Sequence, residues 1–140
     1  MELNTHTALS QAEEQRRTNI VENTRRMILD ALAIEVQDGT ALRLPYRDFY
    51  LQIAFSPVHP LIMLQFVRTC GRQVLKRDFG RVNTLNNNSV LGGSTINEDM
   101  NCFVFRATQW LDAALEKDRF AEILARSYDE AARSYVELFS

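Results

Sequence analysis

The stretch from Tyr46 to Cys70, YRDFYLQIAFSPVHPLIMLQFVRTC, constrains the fold most, because it holds two apolar runs divided by a short loop with a proline near each end. In the first run Phe49, Leu51, Ile53 and Phe55 alternate with a set that includes Tyr50, Gln52 and Ser56. A period of two is the mark of a half-buried strand. In the second run Ile62, Leu64 and Phe66 share one face, while Leu61, Met63 and Val67 share the other with Gln65. Apolar groups on both faces predict a central strand, covered by helices on one side and by something further on the other. Ser56 to Pro60 is a five-residue connection, a length natural hairpins use. Pro57 and Pro60 lack an amide proton and end the ladder there.

Helical patterns flank this hairpin. Ser10-Gln11-Ala12-Glu13 fits a capping box. Beyond it Ile20, Thr24, Met27, Ala31 and Ile34 recur at steps of three and four, widened by Val21, Ile28 and Leu32. The helix is expected to stop at Asp38-Gly39, where glycine accepts the left-handed end conformation. Residues 1–9 are expected to be a flexible terminus ahead of a single domain spanning 10–140. Asp78 is placed as the cap of a short helix carrying Phe79, Val82 and Leu85, which the asparagines 86–88 end. Asn83 and Asn86 on that helix could bond a neighbouring strand edge.

Ser89 to Thr108 reads as a second hairpin around residues 97–101, with Phe103, Phe105 and Ala107 alternating against Val104, Arg106 and Thr108. Gly92-Gly93 within it marks a bulge or the close approach of another backbone. Trp110 to Glu116 is expected to be a linker. A last helix runs from about Lys117 to Leu138, with Phe120, Leu124, Ser127, Ala131, Tyr135 and Leu138 inside and charges of alternating sign outside.

The chain carries no catalytic motif. Its two histidines, His6 and His59, do not stand at ligand spacing from cysteine or carboxylate, so neither a metal nor another cofactor is expected. Cys70 and Cys102 read as buried free thiols. Glu98 and Asp99 look like a catalytic pair, yet a hairpin tip favours such residues for backbone reasons alone. Were the protein an enzyme, His59, Asp78, Asp99 and Arg106 would be the groups to test. The formal charge of −2 and the missing glycine-aromatic signature argue against RNA. With no apolar run near the roughly 18 residues of a membrane span, and no signal sequence, a cytoplasmic protein is expected.

Helix, hairpin, short helix, hairpin, helix is an α+β order in which an antiparallel sheet has its helices on one side. Val82-Asn83-Thr84-Leu85-Asn86, then a glycine-bearing strand, an acidic turn, a strand ending Phe105-Arg106-Ala107-Thr108 and an amphipathic terminal helix together resemble the YbjN group of bacterial proteins. That group is similar in fold to type III secretion chaperones of the CesT and SycE kind. The resemblance implies a non-enzymatic, chaperone-like or adaptor homodimer that binds an extended segment of another protein. Physically, a second apolar sheet face needs a cover that a two-fold copy can provide, and an open edge strand can accept a peptide. The partner groove is expected along Phe49, Leu51, Ile53 and Phe55, with the dimer contact near Val82, Leu85, Phe103 and Phe105. Spacing alone leaves the opposite allocation of faces open. The alternative function is a regulatory protein that binds a folded partner or a small ligand.

Overall fold

A computed structural model of the chain describes residues 10–34, 41–56 and 59–139. In chain order its elements are α1 (Gln11–Ala31), β1 (Ala41–Tyr46), β2 (Phe49–Phe55), β3 (Leu61–Thr69), α2 (Lys76–Asn88), β4 (Gly92–Asn97), β5 (Cys102–Trp110) and α3 (Lys117–Phe139). The strands form one sheet in the order β1-β2-β3-β5-β4, every neighbouring pair antiparallel. The α+β class read from the sequence is therefore the observed one. The strand with two apolar faces, β3, takes the centre, paired along its length to β2 and β5.

The sheet has one strand more than two hairpins supply. In β1, Leu42, Leu44 and Tyr46 pair with Ile53, Leu51 and Phe49 and add a third row to the first hairpin. Pro45 is compatible with this because it stands on the sheet's edge, opposite Tyr50, where a missing amide proton costs no ladder bond. Arg47, at a φ of 51°, makes the tight reversal into β2.

Helix ends explain two further departures from expectation. Ser10 caps α1 as predicted, its hydroxyl accepting from the Glu13 amide at 3.1 Å. The helix nevertheless ends at Ala31, before Asp38-Gly39. Ala33 adopts a left-handed φ of 50°, and the amides of Ala33 and Ile34 donate back to the carbonyls of Asp30 and Leu29. This is the Schellman pattern with alanine where glycine is commoner. Asp38-Gly39, the terminal segment 1–9 and the Pro57-Val58 part of the hairpin loop lie outside the described residues. In α2 the cap is Leu75, not Asp78. Asp78 is three residues in, and its carboxylate reaches back to accept the Leu75 amide at 2.7 Å, satisfying a donor that the helix start leaves open.

Burial in the sheet follows parity, except that Ala41 at the start of β1 is buried beside Leu42. Leu42, Phe49, Leu51, Ile53, Phe55, Ile62, Leu64, Phe66, Phe103, Phe105 and Ala107 are all buried, in one cluster with Ile20 and Ile28 of α1 and Phe120, Leu124, Ala131, Tyr135 and Leu138 of α3. Removing each large apolar side chain from water contributes about 1.5–3 kcal/mol. Edge-on ring contacts knit one end of this layer, Phe49 meeting Phe66, Tyr128 and Tyr135 at 5.8 to 6.1 Å between centroids. The buried positions of α3 include the whole stripe predicted for it.

Candidate partner-binding site

Because burial follows parity, the position of each expected site residue is decided by which face its strand presents. Phe49, Leu51, Ile53 and Phe55 sit inside the core, the most exposed of them only 9% accessible. They hold the helices on the sheet, and in this arrangement they offer a partner no surface. The physical reason is competition: the chain's own helices take the more apolar face of β2. Of the residues expected at a dimer contact, Val82, Phe103 and Phe105 are likewise buried. Leu85 is half-buried on α2, packed against the core, while Phe79 on that helix and Leu75 at its cap are exposed.

The opposite face of the sheet is the open one. Register places Tyr50, Val67, Val104 and Thr95 in one row across it. A second row holds Arg43, Gln52, Gln65 and Arg106, and a third Ala54, Met63 and Thr108. Leu61 and Trp110 close the far end. None of these side chains is fully buried: Val67, Val104, Leu61 and Met63 are half-buried, Tyr50 is 47% exposed and Trp110 60%. Two apolar bands thus flank a polar row of amide and guanidinium groups. Among the described residues no helix covers this face, so these apolar groups are partly open to water.

Three polar clamps fix the scaffold around this face. The Asn86 side chain pairs with β4 as a strand would, its Nδ2 donating to the Ser94 carbonyl at 2.9 Å and its Oδ1 accepting the Ser94 amide at 2.7 Å. The Glu130 carboxylate on α3 accepts from the backbone amides of Val90, Leu91 and Gly92 at 3.1, 3.1 and 3.4 Å. Arg72 grips both carboxylate oxygens of Asp78 at 2.8 and 2.9 Å and also donates to the Leu138 carbonyl. That guanidinium, with the Leu75 amide, holds the Asp78 carboxyl far below the usual carboxylate range. Arg81 donates to the carbonyls of Glu137 and Leu138, so the end of α3 is tied to α2 by two arginines. Only the Asn86 bond was legible in the sequence. Glu130 carried a signal too, since it falls on the inner stripe between Ser127 and Ser134, and a buried carboxylate must find donors.

The titratable groups do not converge. His59 stacks near Trp110, at 5.5 Å between ring centroids, at one end of β5. Asp99 lies in the turn before the other end, so the strand's length, roughly 27 Å at ~3.4 Å per residue, separates them. Asp78 is committed to Arg72, and Arg106 lies exposed beside Gln65 in the polar row. Both cysteines are free, and burial pushes the Cys70 thiol up, away from nucleophilic character. Among the described residues no cluster of three or more potential metal ligands occurs, and no helix is long and apolar enough to cross a membrane.

The class that these features define is a two-layer α+β fold: five antiparallel strands carry their helices on one face and leave the other open. No protein-family model matches the sequence, and no curated protein matches it. Solved structures do share the fold. YbjN from E. coli, a candidate transcription regulator, superimposes with a TM-score of 0.62 at 16% identity, over 83% of this chain and 89% of that one. The ExsC–ExsE complex gives 0.65 at 13% identity, over 94% and 97%. The HopA1–SchA chaperone–effector complex gives 0.57 at 10% identity, over 91% and 98%. The likeness to YbjN and to secretion chaperones expected from the sequence thus holds for the fold.

Proposed function

We propose that this protein is a non-enzymatic, chaperone-like or adaptor protein of the cytoplasm, which dimerises and binds an extended segment of a partner protein. The observation that carries the proposal is the open sheet face, with its apolar bands on either side of the Gln52, Gln65 and Arg106 row. A segment in extended conformation, whose side chains alternate, can lay apolar groups on the bands and backbone groups on the amides of that row. The shared fold with a chaperone–effector complex is consistent with this use. The dimer contact is assigned to α2, which carries half-buried Leu85 and exposed Phe79, with Leu75 exposed at its cap.

A photo-crosslinking residue substituted at Val104 or at Met63, in cells of the native source, tests the reading. Crosslinks that map to one contiguous stretch of a partner, and that disappear when Gln65→Glu and Val67→Asp are added, are expected. Crosslinks scattered over the surface of a folded domain would overturn it in favour of a regulator of folded proteins.

A further inference from the structure

A hollow of about 110 Å³ lies between β5 and α3, and the sizes of the residues beneath it explain why it is there. Register sets Phe66, Phe105 and Ser94 in one row across the helix-covered face and Leu64, Ala107 and Gly92 in the next. From one row to the next, two phenylalanine rings and a hydroxymethyl group give way to an isobutyl group, a methyl and a hydrogen. The space under α3 is left unfilled at that row. Gly92 cannot fill it, because a Cβ there would lie 2.1 Å from the Arg106 carbonyl oxygen.

The lining combines apolar walls with groups that seek an anion. Leu64 and Ala107 of the sheet and Ile123 of α3 supply the apolar part. Ser127, only 1% exposed, also lines the hollow, and its hydroxyl makes no hydrogen bond to another described residue. A buried hydroxyl in that state is costly unless something in the hollow accepts from it. Arg119 and Arg126 complete the lining, both more than half exposed, and share one carboxylate, Glu122, at 3.5 and 3.2 Å. Two guanidiniums against one carboxylate leave one positive charge in excess.

We infer that this hollow is a binding site for a small, free aliphatic carboxylate with a branched tail of about four carbons, since an apolar void of ~150 Å³ accepts the six of benzene. The tail lies against Leu64, Ala107 and Ile123. The carboxylate accepts from Arg119, Arg126 and the Ser127 hydroxyl. Glu122 sets the charge of the ligand: with one carboxylate already in place, the two guanidiniums take up a single further anion. Ala107 is buried beneath α3, whereas Arg106 and Thr108 on either side of it are exposed on the other face. The site therefore lies across the sheet from the proposed partner surface, and either reading can fail alone.

The test titrates the full-length, isotopically labelled chain with sodium isovalerate and reads amide shifts by NMR, with isovaleramide and acetate as controls. Saturable shifts centred on Ala107, Ile123 and Ser127 are expected. Affinity should be about tenfold lower for isovaleramide, which lacks the charge, and for acetate, which lacks the tail. Arg126→Gln, an exposed change that leaves the fold intact, should weaken isovalerate about fivefold, and Ser127→Ala about threefold. Equal affinity for acetate and isovalerate would reduce the site to two surface arginines and overturn the inference. Equal affinity for isovaleramide, unchanged affinity in Arg126→Gln, or the absence of saturable shifts at millimolar isovalerate would overturn it as well.

Discussion

Glu130 is the side chain whose removal best measures how the sheet, the α2–β4 connection and α3 are held together. Its carboxylate accepts two amides at 3.1 Å and one at 3.4 Å. Hydrogen bonds to a charged group contribute about 1.5–3 kcal/mol each, so two good bonds give roughly 3 kcal/mol. Val90 and Leu91 are exposed, and their amides regain water when the carboxylate is lost, which reduces the net effect of Glu130→Ala to about 2 kcal/mol. Glu130→Gln keeps one acceptor oxygen and the packing, so it should lose about 1 kcal/mol. With a urea m-value of about 2 kcal/mol/M, the midpoint falls by about 1 M for Ala and half that for Gln. Equilibrium urea unfolding followed by far-ultraviolet circular dichroism reads both. Hydrogen exchange should quicken at Val90 to Gly92 before it does in the centre of β3. Equal midpoints for wild type and Glu130→Ala would refute the reasoning, because the three amides would then be equally well served by water.

Other predictions follow from single contacts. A Cβ at Gly92 would lie 2.1 Å from the Arg106 carbonyl oxygen, so Gly92→Ala must push β4 off β5 and should destabilise by about 1–3 kcal/mol, measured by the same unfolding assay. The Asp78 carboxyl is held below its unfolded value of about 3.9 by Arg72 and the Leu75 amide. Its contribution to stability is therefore complete above that value and is lost as pH falls toward the folded one. Unfolding midpoints of the wild type should drop below about pH 4, and Asp78→Asn should be less stable at neutral pH with a shallower acid decline. Phe79→Asp, an exposed change on α2, should convert a dimer to a monomer in sedimentation equilibrium with unchanged circular dichroism.

The period-two runs and the α3 stripe were legible because each element is amphipathic on its own terms. β3 announced its central place by being apolar on both sides, and Gly92 announced the close approach of Arg106 by lacking a side chain. What spacing could not supply was which sheet face the helices cover. Phe49, Leu51, Ile53 and Phe55 look the same whether they meet α3 or a partner, and only the tertiary competition for that face places them inside. β1 was hidden by Pro45, harmless on an edge but discouraging in a strand pattern. Arg72 and Asp78 are six residues apart and meet only because the chain reverses between β3 and α2. Asp78 consequently reads as a cap when it is the third helical residue.

The most direct test of the account uses the partner stretch found by crosslinking, synthesised as an isolated peptide and titrated calorimetrically against wild type and Val104→Arg. The account predicts that the unfolded peptide binds within about tenfold, or about 1.4 kcal/mol, of the whole partner and that Val104→Arg abolishes both. A peptide that fails to bind while the folded partner binds normally would contradict it.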